Sequence, residues 1–324
     1  MPNFLFASNN VSHFPAAQIH TDQNMYDSNR VPYGISFDNG TIQASCLPFP
    51  RTTTNETWIH FRYGVGTTTY NINGDLFFMR DSSTQTDVLR IQKTNNTLPF
   101  GNLIINDGVS TQSASIQAPL SSNVNISIDI RFELSLSEMK ATMYINSTQV
   151  ALVSLQVNQG KVLHPDIIRL CGSGRYSTHY PTFSEIIVAD GDTRNMRLNM
   201  LRPTLPGAYN DWEGSILSLV DDDTTSGILS STPGDKISYS LNEYTGSSVI
   251  SGVVSVSTGS HGLNGPANLK HFLRKSAVDY KSLDQPVGDS LSTQVVNWTI
   301  NPATSLPWTI DDLSDIEFGL ESVA

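Results

Sequence analysis

The sequence predicts an all-β chain built of two jelly-roll-like β-sandwich domains, and three observations carry that reading. Residues 124–136 alternate without a break: Val124, Ile126, Ile128, Ile130, Phe132, Leu134 and Leu136 are apolar, while Asn125, Ser127, Asp129, Arg131, Glu133 and Ser135 are polar. A period of two puts the sets on opposite faces of a pleated strand, one buried and one wet; a helix would scatter them. Shorter runs of the same kind recur along the chain between polar turns, with almost no helical periodicity. Charged residues make up only 15% of the chain, below the usual quarter or so. Ser, Thr, Asn and Gly, the residues of strands and turns, take their place.

A length of 324 residues suits two domains. Asp190–Thr193 is the natural boundary, dividing the chain into 1–192 and 193–324. At the start, Phe4, Leu5 and Phe6 form an apolar knot. It reads either as an arm for assembly with a neighbouring subunit or as the first strand of its own domain. Tyr33–Phe37 and Thr41–Ser45 flank Asn39-Gly40, a two-residue hairpin signal. Thr57–Tyr63, Leu76–Arg80, Val88–Gln92, Leu103–Asn106 and Ser113–Ala118 follow as strands. The alternating stretch comes next and, at roughly 3.3 Å per residue, would be about 40 Å long. Lys140–Ser154 is a hairpin turning at Asn146, Ser147 and Thr148. Ile167–Cys171 and Phe183–Ala189 complete the first domain.

In the second domain Arg197–Leu201, Lys236–Leu241, Val249–Ser257, Asn268–Arg274, Leu291–Ile300 and Ile316–Ser322 read as strands. Asp221–Asp223 is an acidic turn. Thr309–Leu313 opens on a capping Thr with acids behind it, the pattern of a short helix.

The net charge of −11 argues against nucleic acid and anionic membranes as partners. No run approaches the ~20 apolar residues of a membrane span. The N-terminus lacks the basic and apolar regions of a signal peptide, so the chain is expected to be made in the cytoplasm and its Asn-x-Ser/Thr triplets to stay unglycosylated. The two cysteines, Cys46 and Cys171, are compatible with a disulfide or with two separate thiols, and spacing decides neither.

The chain holds no Gly-rich phosphate loop, no Gly-x-Ser-x-Gly elbow and no His-Glu-x-x-His. Its seven histidines are scattered without metal-ligand spacing, and His60 reads as a packing residue within a strand. Contiguous Asp221–Asp223 lack the alternate spacing of a calcium loop. Asp129 and Glu133 share a face but stand roughly 13 Å apart, too far for a direct carboxylate pair. Arg131 between them makes a surface charge ladder the simpler account. Trp58, Trp212, Trp298 and Trp308 are the residues that could stack on sugars; Trp212, Trp298 and Trp308 in particular read as structural. The residues alone point to no enzyme, cofactor or metal site.

Ala141–Ala151, following the long alternating strand, resembles the strand–turn–strand of laminin-G and concanavalin A-like jelly rolls. The likeness extends over 1–192 as a pattern, and none of that family's calcium or sugar ligands can be placed on this sequence. Asp192–Leu198, Tyr209–Trp212, Gly265-Pro266 and Asn301–Leu320 are similar to the C-terminal segment of structural proteins of tailed bacteriophages. That resemblance implies a non-enzymatic virion component, on the tail or decorating the capsid. It would work by homo-oligomerisation, as a trimer or another form, and by contacts with other virion proteins. The alternative is a carbohydrate-binding adhesin that touches host surface glycans.

Overall fold

The alternating stretch is a strand, Ile126–Leu134, in the middle of the larger of two facing sheets. A computed structural model describes residues 2–324 except 38–42, 65–73, 95–97, 121–124, 158–162, 173–180, 221–225, 245, 247–248 and 263–264. The chain forms two compact units, Pro2–Leu198 and Asn199–Ala324.

The strands of the first unit are β1 (Phe4–Ser8), β2 (Gln18–His20), β3 (Gly34–Ser36), β4 (Gln43–Ser45), β5 (Glu56–Gly64), β6 (Gly74–Asp81), β7 (Thr86–Lys93), β8 (Gly101–Asn106), β9 (Thr111–Ile116), β10 (Ile126–Leu134), β11 (Glu138–Ile145), β12 (Thr148–Gln156), β13 (Ile167–Cys171) and β14 (Thr182–Ala189). The larger sheet runs β12-β11-β10-β5-β14-β3-β2, with β1 also paired to β14; the smaller runs β4-β13-β6-β7-β8-β9. The apolar set of β10 (Ile126, Ile128, Ile130, Phe132, Leu134) points into one continuous core with Phe61, Phe77, Leu89 and Ile105. Phe61 of one sheet stacks on Phe77 of the other, with centroids 4.8 Å apart. Each such side chain contributes about 1.5–3 kcal/mol by leaving water.

Three first-domain expectations need correction. β10 is shorter than the alternation. Ser135 Oγ accepts from Glu138 N at 2.9 Å and turns the chain, which leaves Leu136 81% exposed; Val124 lies outside the described residues. β3 and β4 belong to different sheets and are no hairpin, and Asn39 and Gly40 also lie outside the described residues. Phe4, Leu5 and Phe6 are not a free arm: β1 pairs antiparallel with β14, and all three side chains are buried in their own unit. The β11–β12 turn falls where the sequence puts it, with Asn146 and Ser147 both at positive φ (48° and 66°), the backbone of a two-residue hairpin loop.

The second unit contains β15 (Pro203–Asn210), β16 (Lys236–Leu241), β17 (Val253–Gly259), β18 (Asn268–Lys275), β19 (Val278–Lys281), β20 (Gln285–Pro286), β21 (Ser292–Trp298) and β22 (Glu317–Val323). One sheet runs β15-β16-β22-β18-β19, with β20 also on β18, and β17 pairs with β21 in a second sheet. Residues 197–201 form no strand; the strand begins at Pro203. β17 starts at Val253, and Val249 is 92% exposed. The short helix is a 3-10 turn, Asp311–Leu313. Its acceptor is an acid rather than the Thr: Asp312 Oδ2 takes hydrogen bonds from Thr309 N and Oγ1, both at 2.8 Å.

Candidate functional site

Two places on the first unit bring functional groups together. The first is the polar face of the larger sheet. The β5–β10 register sets His60 opposite Asp129, Trp58 opposite Arg131, Arg62 opposite Ser127 and Glu56 opposite Glu133. Alternation alone predicts that this face is wet. Half of it is not: His60 and Asp129 are both fully buried, because the segment after β14 lies over them. Thr193 Oγ1 donates to Asp129 Oδ1 at 2.8 Å, His60 Nδ1 meets the same oxygen at 2.9 Å, and Ser127 Oγ donates to Oδ2 at 3.3 Å. Asp129 is thus a buried acceptor hub and not part of the expected surface ladder.

Beside it lies Glu185, in a β-bulge of β14 between Ser184 and Ile187. Its φ is +51°, a left-handed conformation that is strained for a residue with a Cβ. Its amide donates to Asn9 Oδ1 at 2.9 Å, and Asn9 Nδ2 donates to Tyr33 O at 2.7 Å. The Asn9 side chain therefore fills the place where β14 changes partner from β3 to β1. The Glu185 carboxylate is fully buried and neither oxygen has a hydrogen-bond partner; Arg62 Nε stands 3.6 Å from Oε1. Burial pushes this carboxyl above the ordinary range, and His60, Arg62, Arg197 and Arg30 oppose the rise.

The other half of the face is a stacked aromatic pair, Trp58 and Tyr144, with centroids 5.8 Å apart at 17°. The Arg194 guanidinium lies over both rings, 5.4 and 4.8 Å from their centroids. Its Nη2 donates to Asp192 Oδ2 at 2.6 Å. Arg131 donates to Glu56 Oε2 through both Nε (3.0 Å) and Nη2 (2.6 Å), a charge-assisted pair of bonds converging on one oxygen. The Trp58 indole donates to Glu56 Oε1. Arg131, Glu133 and Lys140 complete a charge ladder across β10 and β11.

The second place is a cleft of about 480 Å³ at one end of the sandwich. Its apolar lining is the buried Phe132 and Leu134, with the exposed Leu136 at the mouth; its rim is Thr52, Thr54, Asn55, Ser135 and Ser137, closed by His164 and Pro165. Among the described residues no Lys, Arg, Asp or Glu lines it. Thr52 and Thr54 Oγ1 both donate to Glu56 O, and Ser135 Oγ donates to Glu138 O. The same hydroxyls also accept from the local backbone, Thr52 Oγ1 from Thr54 N, Thr54 Oγ1 from Glu56 N and Ser135 Oγ from Ser137 N and Glu138 N, so the rim is polar and uncharged with these three hydroxyls largely engaged by their own turns.

In the second unit, Trp298 and Trp308 are buried in one small cluster and the half-buried Trp212 packs against another. The Trp308 indole donates to Trp298 O, and that of Trp212 to Asp235 O at 3.1 Å. His271 is fully buried between Ser255 Oγ on Nδ1 and Ser257 Oγ on Nε2, each at 2.7 Å. Burial pushes its pKa down to about 3. Among the described residues no group of three or more His, Cys, Asp or Glu is placed to hold a metal ion; Asp221–Asp223 lie outside them. Sequence reasoning missed Thr193 and Arg194, because their segment has no periodicity to read, and Glu185, because β14 is buried at every position and carries no alternation.

No family model matches the chain, and no curated protein does. Solved structures with a similar course include an endo-β-1,4-glucuronan lyase from the fungus Trichoderma reesei, with TM-score 0.41 and 6% identity over 58% of this chain and 92% of that one. Others are the carbohydrate recognition domain of Emp47p, with TM-score 0.38 and 11% identity over 59% and 97%, and the receptor-binding domain of botulinum neurotoxin type G, with TM-score 0.35 and 10% identity over 56% and 44%. The chain spans less than half the length of the neurotoxin domain it matches.

Proposed function

We propose that this chain is a glycan-binding protein of the adhesin type, recognising a neutral sugar in the cleft at the end of the first sandwich. The observation that carries the reading is the chemistry of that cleft: an apolar floor of Phe132 and Leu134 with Leu136 at the mouth, and a rim of uncharged hydroxyls and an amide. A pyranose offers one face of C–H groups and an edge of O–H donors. The apolar lining suits the first and the uncharged polar rim the second. The volume is in the range of small-ligand sites.

A second reading, a virion structural component acting through assembly with copies of itself and with other virion proteins, is favoured by one feature of the second unit. Leu205, Leu217, Val249, Leu283 and Leu306 are large apolar side chains that stand in solvent there. Apolar surface of this kind marks interaction sites when it is contiguous. The two readings are compatible on one molecule.

The test is a glycan array probed with the whole chain, followed by titration of any sugar found against wild type and Leu136→Lys. Binding of neutral sugars that Leu136→Lys abolishes supports the cleft. Absence of binding, or binding that Leu136→Lys leaves intact, overturns it. Sedimentation of the same samples addresses assembly: a single monomeric species at high concentration speaks against the second reading.

A further inference from the structure

The segment after β14 has no regular secondary structure between Asp190 and Arg202, yet it covers Asp129 and the Trp58–Tyr144 pair. Side-chain contacts fix it over the sheet. Thr193 bonds Asp129, Arg194 lies on Trp58 and Tyr144, and Arg197 adds charge near Glu185. We propose that residues 192–197 are a displaceable cover over the Trp58–Tyr144 face, and that the charge on Glu185 sets how firmly the cover closes.

The geometry of Glu185 is the reason. A carboxylate that is fully buried, without a hydrogen-bond partner on either oxygen and on a strained backbone, is held there at a cost. The groups that face it come from every surrounding element. β5 gives His60, itself bonded to Asp129 of β10, and Arg62, whose Nε donates to Asn125 Oδ1. The cover gives Arg197, the loop before β3 gives Arg30 paired to Asp27, and the stretch after β1 gives the Asn9 amide. None of these supplies a hydrogen bond to the carboxylate oxygens, and Arg62 Nε stands 3.6 Å away; on this proposal, lifting the cover lets water reach the carboxylate, and that water stabilises the ionised form more than the closed state does.

The sign follows from linkage. The closed state holds the Glu185 carboxyl above its ordinary range, so closure binds a proton more tightly than the open state. The cover is therefore tightest in acid, below the ordinary carboxyl range. It loosens as pH rises through the window between that range and the raised closed-state value, and is level above it. Above that window it is at its loosest, and the aromatic pair and the His60–Asp129 pair are then least firmly covered. This face is separate from the cleft assigned above, and the inference stands or falls independently of glycan binding.

The experiment is hydrogen–deuterium exchange of residues 190–198 between about pH 4 and pH 8, each rate divided by that of the same segment in the unfolded chain at the same pH. In the wild type, protection should fall with pH, by up to about tenfold per unit inside the window. In Glu185→Gln, protection should be high and independent of pH. In Thr193→Val, which removes the anchor and leaves Glu185 in place, protection should be lower throughout with the wild-type slope. Flat protection in the wild type overturns the proposal, as does a wild-type slope in Glu185→Gln. A parallel loss of protection in β5 and β10 overturns it as well, because that pattern is unfolding of the whole unit.

Discussion

Thr193 and His60 share one acceptor: the Thr193 hydroxyl and His60 Nδ1 reach Asp129 Oδ1 at 2.8 and 2.9 Å, with all three residues buried. Asp129→Ala leaves both without that acceptor and should destabilise the first unit by about 3–5 kcal/mol. Asp129→Asn keeps an acceptor oxygen and should cost about 1–2 kcal/mol. Urea unfolding followed by tryptophan fluorescence measures both; an alanine variant as stable as wild type would contradict the buried hub.

Phe6 is fully buried, stacked on Phe49 with centroids 5.5 Å apart and edge-on to Phe14 at 6.4 Å. Phe6→Ala should therefore lower stability by about 3–5 kcal/mol. Any change in assembly should follow the fraction folded and nothing else. Loss of self-association in a variant that remains as stable as wild type would restore the role of an arm to residues 4–6.

His271 of the second unit is pushed down to about 3 by burial. A depressed folded value gives stability that is fully present above the ordinary His range and lost as pH falls through it toward 3. The second unit should accordingly weaken in acid from about pH 6.5 downward. His271→Gln, which cannot take up a proton, should flatten that slope while lowering stability at neutral pH by loss of one of the two serine contacts. An unchanged slope in the variant would show that other groups drive the acid transition.

The thiols are separate. Cys46 N donates to Ile168 O, so Cys46 sits opposite Ile168, three residues from Cys171 along β13. That is roughly 10 Å along a strand, beyond the ~7 Å Cα separation a disulfide tolerates. Both are buried, and burial pushes each thiol up to about 12. Neither should react with iodoacetamide in the native protein, and gels with and without reductant should match. Rapid labelling of either residue before unfolding would refute the burial.

Leu136 stands at the mouth of the cleft, 81% exposed. Leu136→Lys should change stability by no more than about 0.5 kcal/mol while weakening any sugar that sits on the apolar floor. A melting temperature well below wild type would show that Leu136 holds the β10–β11 turn together and that the variant cannot report on binding.

The elements that sequence made legible are those with one wet and one dry face. β10 and its partner β11 alternate, and Asn146-Ser147 marks their turn. The elements it hid have two dry faces or none. β1 is buried at all five positions and carries no alternation, so Phe4–Phe6 read equally well as an arm. β14 is buried at all eight, and within it nothing distinguishes Glu185 from the neighbouring strand residues until its bulge is seen. The covered half of the β10 face was misread for a related reason. Ser127 and Asp129 have the composition of a solvent face, and only the path of residues 190–198 shows that their solvent is replaced by Thr193. The cleft is formed by residues distant in sequence, and its hydroxyls are common enough in this chain to carry no local signal.

The β15 edge of the second unit is poor in free amides. Pro203 and Pro206 bring no N–H to it, Ala208 N is spent on Glu317 Oε2 at 2.9 Å, and Tyr209 N on Ser238 Oγ at 3.1 Å. Gly207 makes this possible, since a Cβ there would meet Glu317 Oε2 at 2.4 Å. A strand whose amides are missing or turned inward is a poor template for another strand. Head-to-tail growth of a ribbon through this sheet needs a receptive border at both of its ends, and the β15 border offers few free amides. A copy that meets this sheet edge to edge is therefore steered away from β15.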